Sequence, residues 1–170
     1  ELEFIFALEE YEPGGTGPEI FAGQRPATGI HERKDGAMIP RYTRDVMRDL
    51  WSEKEKFRSW LDVELAVCEA WTKRGRIPPE SMETIRRKAG FSVARIEEIE
   101  AEIRHDLISF LTCVAEHVGP DSRYIHMGLT SSDVVDTAQA LRLVRSCDVL
   151  LEDIDGLLAA LEKQARQHKE

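Results

Sequence analysis

The sequence has few cysteines, few aromatic residues and no long apolar run free of charge. Only 3 of its 170 residues are cysteine and 7% are aromatic. Cys68, Cys113 and Cys147 are far apart and form no CxxC pair, so we interpret them as buried thiols of a reducing compartment. No apolar stretch is long enough to span a membrane, and no basic segment followed by an apolar core marks a signal peptide. We therefore expect a cytoplasmic protein that needs no metal or other cofactor.

The chain also lacks an excess of basic residues. Its 23 Lys and Arg against 32 Asp and Glu give a formal net charge of −9. A nucleic-acid backbone requires a basic surface, so this balance argues against nucleic acid as the main partner. A small anionic ligand is compatible with the balance if its site is locally basic.

Residues 1–37 differ from the rest of the chain in composition. They hold six of the eleven glycines and three of the seven prolines, which interrupt any helical pattern. We interpret them as a flexible leader, either non-native, with Met38 as the true start, or a partner-binding arm that folds on contact.

From residue 39 onward apolar residues recur at helical spacing, and no segment alternates with the period of a strand. This pattern predicts an all-α fold. The first strong helix follows a capping box formed by Ser52 and Glu55 and ends at Gly75. A short helix is predicted over residues 79–89.

A single helix is then predicted from Ser92 to about Val118. The triplet Arg104, His105 and Asp106 falls in its middle. Consecutive helical residues are turned by about 100° from one another, so the three side chains cannot share one face. The triplet is open to two interpretations, a solvated ion pair beside a surface histidine or polar groups that flank a cleft.

The last helix is predicted from about Asp133 to the final residue, with a nearly heptad apolar stripe. Such a helix would extend about 57 Å, whereas a compact domain of this size has a radius of gyration of about 14 Å. We therefore expect it to project beyond its own domain and to need partner helices. The predicted organisation is an N-terminal helical domain over residues 38–128 and the start of a long bundle helix over residues 129–170.

The segment YIHMGLTSSDVVDT, residues 124–137, combines a glycine turn with helix-capping residues. Thr130 and Ser131 are of the types that cap a first helical turn. Hydroxyl groups and the positive end of a helix dipole also suit a carboxylate or a phosphate. A well-capped helix and nothing more is the simpler interpretation, whereas His126, two residues before Gly128, favours a ligand site.

Several motifs between residues 39 and 137 occur together. They are IPRYT at 39–43, WSExEKFxxWLxVE at 51–64, EAW at 69–71, GxIP at 75–78, RIxEIE at 95–100, RHD at 104–106 and YIHMGLTSSDVVDT at 124–137. In this combination they resemble the N-terminal part of the adenylosuccinate lyase family of the fumarase and aspartase superfamily. The resemblance implies the N-terminal helical domain of that superfamily and the first helix of its central bundle.

The resemblance also implies an activity and its residues. The family splits adenylosuccinate into AMP and fumarate by β-elimination and cleaves the succinyl-carboxamide ribotide of purine synthesis in the same way. By this comparison the nucleotide contacts are Arg41 and Tyr42, the substrate contacts are Arg104, His105, Asp106, Thr130 and Ser131, and the residues that support proton transfer are His105 and His126.

The family builds each active site from several subunits of a homotetramer. Its proton-abstracting serine and its T-x-H histidine lie further along the chain than residue 170, so we expect these 170 residues alone to have little or no activity. Two alternatives remain open at this point, a sibling lyase or cycloisomerase of the superfamily and a non-catalytic helical assembly module.

Overall fold

The computed structural model describes residues 40–169. After a 3-10 helix over Pro40–Tyr42, the chain forms α-helices with a second 3-10 helix, Pro120–Tyr124, before the last. No strand occurs in this part of the chain, and the predicted all-α fold is confirmed. The interpretation of residues 1–37 as a leader lies outside the described residues. The helices are α1 (Asp45–Leu50), α2 (Glu53–Lys73), α3 (Pro79–Lys88), α4 (Val93–Ile103), α5 (Asp106–Val118) and α6 (Ser131–Gln167).

Helix α2 is the element against which α1, α3, α4 and α6 pack. It begins where the capping signal predicted, and Ser52 Oγ accepts the N–H of Glu55 at 3.2 Å. The reciprocal half of the capping box is replaced by other contacts. The Glu55 carboxylate accepts from Arg145 of α6 at 2.7 Å, and the Ser52 N–H donates to Asp49 at 3.2 Å. The cap therefore also ties α2 to α6.

An aromatic cluster forms the centre of the core. Phe57 of α2 stacks on Phe110 of α5 with ring centroids 5.8 Å apart. Trp60 meets both rings edge-on, and Phe91, from the connection before α4, also packs on both. Aromatic pairs bury large areas and prefer such offset or edge-on arrangements. The cluster fixes α5 and the start of α4 against α2.

The single helix predicted from Ser92 to Val118 is wrong, because the chain reverses direction at residues 104 and 105. Arg104 adopts the left-handed conformation (φ 57°) that ends α4, and His105 is the N-cap of α5. Arg95 and Glu116 then meet at 2.8 Å, although a continuous helix would hold them about 32 Å apart. The reversal lets the apolar faces of both helices enter one core, which a straight helix of this length cannot do.

Helix α6 has 37 residues and is therefore about 56 Å long. Its buried positions recur at every fourth residue, at Val134, Ala138, Arg142 and Ser146. All residues from 150 to 169 are exposed, including the leucines and the isoleucine of its apolar stripe. None of the helices in the described part is long and apolar enough to cross a membrane.

The prediction of buried thiols holds for two of the three cysteines. Cys68 and Cys113 are buried, whereas Cys147 is exposed. The reason is the register of α6: Ser146 faces the core, and the next residue is turned by about 100° away from it. The predicted burial of Cys147 is therefore wrong for this chain.

Replacing Phe110 with alanine tests the importance of the aromatic cluster. Phe110 is fully buried, so its truncation leaves a cavity, and we expect a loss of about 3–5 kcal/mol in the free energy of unfolding. Ile108→Ala, on the solvent side of the same helix, is the matched control and should cost much less. Urea denaturation followed by circular dichroism measures both, and equal losses would contradict the assignment of the core.

Candidate functional site

The turn that precedes α6 contains two residues in the left-handed conformation. They are His126, with φ 64°, and Gly128, with φ 80°, and the N–H of Leu129 donates to His126 O across the turn at 3.4 Å. Glycine adopts this conformation freely, but a residue with a side chain does so at a cost. Contacts outside the turn must therefore hold His126 in place.

Glu64 of α2 supplies those contacts. Its side chain is only 1% exposed, and both carboxylate oxygens face His126. Oε2 accepts the backbone N–H of His126 at 2.8 Å, and Oε1 lies 2.7 Å from the ring nitrogen Nδ1. Burial raises the pKa of Glu64 above its ordinary value, and the hydrogen bonds and charge of His126 oppose that rise.

Two further residues of α2 hold the same turn. The indole N–H of Trp71 donates to the carbonyl of Met127 at 2.9 Å, and the Cys68 thiol lies 3.7 Å from the carbonyl of Tyr124. Burial, with the charge of nearby Glu64, raises the pKa of Cys68 to about 12. This thiol is therefore a neutral packing group and not a nucleophile.

The first turn of α6 is closed by a capping box between Thr130 and Asp133. Asp133 Oδ2 accepts the backbone N–H of Thr130 at 2.7 Å and its hydroxyl at 2.9 Å. These two hydrogen bonds lower the pKa of Asp133, and the nearby charge of His126 adds to the effect. His126, Thr130 and the partly buried Ser131 thus lie together at the positive end of α6.

The RHD triplet lies at the reversal between α4 and α5. His105 Nδ1 accepts the N–H of Ile108 at 3.4 Å, and Asp106 accepts the N–H of Leu107 at 2.7 Å. The side chains of His105 and Asp106 are about half exposed. Within residues 40–169 the hydrogen bonds and ion pairs of His105 and Asp106 all go to sequence neighbours. The structure therefore presents the triplet to solvent without joining it to the turn before α6.

Arg41 and Tyr42 lie on a different part of the chain surface. The segment that follows them runs antiparallel to α6, since Trp51 bonds Ser146 and Arg44 pairs with Asp153. Asp153 is separated from Thr130 by about 34 Å of helix. Arg41 and Tyr42 precede Arg44, and the guanidinium of Arg41 rests on the exposed Tyr42 ring. The structure does not bring this pair together with Thr130 in one chain.

Glu64 is the residue that the sequence analysis missed. It is part of the WLxVE motif, and it lies four residues after Trp60 and four before Cys68 on the buried stripe of α2. A carboxylate on such a stripe needs a buried partner, because an unpaired buried charge is costly. That rule is the signal that marks it in the sequence.

No cluster of three or more metal-ligating side chains occurs in the part of the chain that the structure describes. A cleft of about 540 Å³ runs along α4 and α5, and its walls include Arg95, Ile103 and Thr112. None of the predicted site residues lines it. The turn before α6 therefore remains the best-built candidate site.

The chain matches one protein-family model and is similar to several known proteins. The family model is described as a lyase family and matches residues 40–170. Adenylosuccinate lyases are 53% identical over 132 residues in Synechocystis sp., 48% over 136 residues in Aquifex aeolicus and 41% over 132 residues in Bacillus subtilis. Each alignment covers 78% of this chain and 31% of the relative, so the chain spans about a third of their length. The resemblance drawn from the motifs is confirmed.

A solved structure is also similar. It is a fumarate lyase from a Mesorhizobium species, with a TM-score of 0.67 and 24% identity over 73% of this chain and 30% of that one. At this identity the likeness bears on the fold alone. It agrees with the predicted all-α fold.

The capping box predicts a pH dependence of stability. Because the pKa of Asp133 in the folded chain lies below its ordinary value of 3.8, its contribution is present above that pH and is lost as the pH falls through the folded pKa. Asp133→Asn should therefore destabilise the chain at neutral pH. The difference in the free energy of unfolding between this variant and the unaltered chain should become smaller below pH 3.8. Asp136→Asn, one turn further along α6, is the control. Urea denaturation across this pH range measures the difference in the free energy of unfolding. A difference that grows in acid would refute the assignment of Asp133 to the capping box.

Proposed function

The chain belongs to the lyase family, and from that premise we propose that it forms the N-terminal part of an adenylosuccinate lyase. The observation that carries the proposal is its close similarity to the N-terminal third of enzymes of that name from several bacteria. The similarity spans the RHD triplet and the turn before α6. The proposed reaction is cleavage of adenylosuccinate to AMP and fumarate, and the parallel cleavage of the succinyl-carboxamide ribotide.

The proposed reaction is a β-elimination. A base removes a proton from the carbon next to a carboxylate of the succinyl group, the bond between carbon and the purine amino nitrogen breaks, and an acid returns a proton to that nitrogen. Negative charge accumulates on the carboxylate as the first proton leaves. Prepositioned donors aimed at that charge lower the barrier more than any other single effect.

The start of α6 is suited to that charge. The helix dipole concentrates positive charge there, and Thr130 and Ser131 add hydroxyl groups. Asp133 accepts the Thr130 hydroxyl in the structure, so a bound carboxylate must draw this hydroxyl away from Asp133. We assign the succinyl carboxylate to this helix start.

The remaining predicted residues keep the roles that the motifs imply. Arg41 and Tyr42 bind the nucleotide, since a guanidinium forms paired hydrogen bonds with phosphate. Arg104 and Asp106 contact the substrate. His105 and His126 support proton transfer, because an imidazole titrates close to neutral pH.

We further propose that each site combines residues from different subunits of a homotetramer. Two features support this. About 34 Å of helix separates Thr130 from the region of α6 next to Arg44, which is farther than one nucleotide substrate reaches. The second feature is the apolar stripe of Leu150, Leu151, Ile154, Leu157, Leu158 and Leu161, which is exposed in the single chain and requires partner helices. The reduced thiols Cys68 and Cys113 agree with a cytoplasmic location.

The proposed activity is tested by the change in ultraviolet absorbance when adenylosuccinate is added to the complete protein. We expect conversion to AMP and fumarate. His105→Ala should lower kcat/KM by about 10²- to 10⁴-fold, the usual contribution of an acid or base. His117→Ala, an exposed histidine near the end of α5, is the matched control and should not change it.

Three results would overturn the proposal. Absence of conversion by the intact, assembled protein favours a sibling enzyme, and nucleotide binding that does not require Arg41 or Arg104 points the same way. Full activity of His105→Ala and Thr130→Ala favours a helical assembly module, in which these changes alter stability alone.

A further inference from the structure

We propose that Glu64 is a positioning residue that fixes the ring orientation and the tautomer of His126. The inference begins from the geometry of α2 and the turn before α6. The two oxygens of one buried carboxylate receive two different groups of the same histidine, the backbone N–H at 2.8 Å and Nδ1 at 2.7 Å.

An ionised carboxylate only accepts hydrogen bonds. The ring nitrogen that faces Oε1 must therefore carry a proton, and in the neutral imidazole the proton is then absent from Nε2. Among residues 40–169 the ring of His126 has no hydrogen-bond partner other than Glu64. Nε2 is thereby left as the nitrogen that can accept a proton or a hydrogen bond from a bound ligand.

The same carboxylate compensates the backbone cost at His126. A left-handed conformation in a residue other than glycine persists only where surrounding contacts enforce it. The bond from the backbone N–H to Oε2 holds the main chain, and the bond at Nδ1 holds the ring. Main chain and ring are consequently set by one residue, whose own side chain is buried.

Asp133 is the other acidic group whose charge interacts with His126. It is committed to the capping box through Thr130. It faces the histidine from α6, whereas Glu64 faces it from α2. Among residues 40–169 only Glu64 bonds to the ring, and we therefore assign to Glu64 the choice of which nitrogen carries the proton.

Glu64→Gln gives a specific prediction for the tautomer of His126. Glutamine has nearly the same size as glutamate, but its side chain has one acceptor oxygen and one NH₂ donor in place of two acceptor oxygens. The backbone N–H of His126 can only donate a hydrogen bond, so the side-chain oxygen of the new glutamine should accept it. The amide NH₂ then faces Nδ1, which must become an acceptor. The proton should therefore move to Nε2, and the tautomer should be reversed in the variant.

The first test is a spectroscopic one and needs no activity. Nitrogen-15 spectra of the complete protein with labelled histidine are recorded at a pH at which the ring is neutral, and His126→Asn assigns the signal. We expect a protonated Nδ1 and an unprotonated Nε2 in the unaltered protein, and the reverse in Glu64→Gln. An Nε2-protonated ring in the unaltered protein overturns the inference even if the variant fails to fold.

The second test is kinetic and rests on the proposed function. Glu64→Gln should lower kcat for adenylosuccinate by about 10- to 100-fold, as the loss of a residue that orients a functional histidine does, with KM much less affected. Glu69→Gln is the matched control. Glu69 lies on the same helix, and its carboxylate pairs with Arg86 and not with His126.

The outcomes separate the two claims. An unaltered protein that does not cleave adenylosuccinate refutes the proposed function, while the spectra still decide the role of Glu64. A folded Glu64→Gln protein that has full kcat in an active enzyme overturns the positioning role in catalysis. An equal loss in Glu69→Gln does so too, because it indicates a general effect of charge on α2.

Discussion

The candidate site depends on one buried interaction, the contact of the Glu64 carboxylate with both the main chain and the ring of His126. A buried carboxylate is costly unless it is fully paired, and here both oxygens are used. The pairing fixes the turn before α6 against α2, and Trp71 and Cys68 add to it. The direction in which α6 begins, and thus where its positive end points, follows from this turn.

The second constraint is the length of α6. A helix of 37 residues carries the candidate site at its start and an apolar stripe along its far half. Within residues 40–169 the stripe is exposed, and Arg44, which follows Arg41 and Tyr42 closely in sequence, pairs with Asp153 in that far half. In the assembly that we propose, contact through the stripe brings Arg41 and Tyr42 of one subunit toward the helix start of another. In this account the same helix that separates the site residues also joins them between subunits.

The sequence predicted the parts of the fold that local chemistry determines. The start of α2 follows from the capping serine, and the start of α6 follows from Thr130 and Asp133. The break at Arg104 and His105 was missed because neither glycine nor proline marks it, although His105 caps α5 there and packing in the core favours the reversal. Glu64 was missed for a related reason. Its partner is 62 residues away in sequence, so the contact becomes visible only when α2 and the turn are folded together.

In the proposed assembly, one chain supplies two parts of a site that meet only between subunits. Mixing two variants of the complete protein that we expect to be inactive, Arg41→Ala and His126→Ala, tests this arrangement. After the subunits are dissociated and reassembled together, some sites contain an intact Arg41 from one subunit and an intact His126 from another. Activity toward adenylosuccinate should return in the mixture and not in either variant treated alone. Mixed assemblies that form but stay inactive would contradict it.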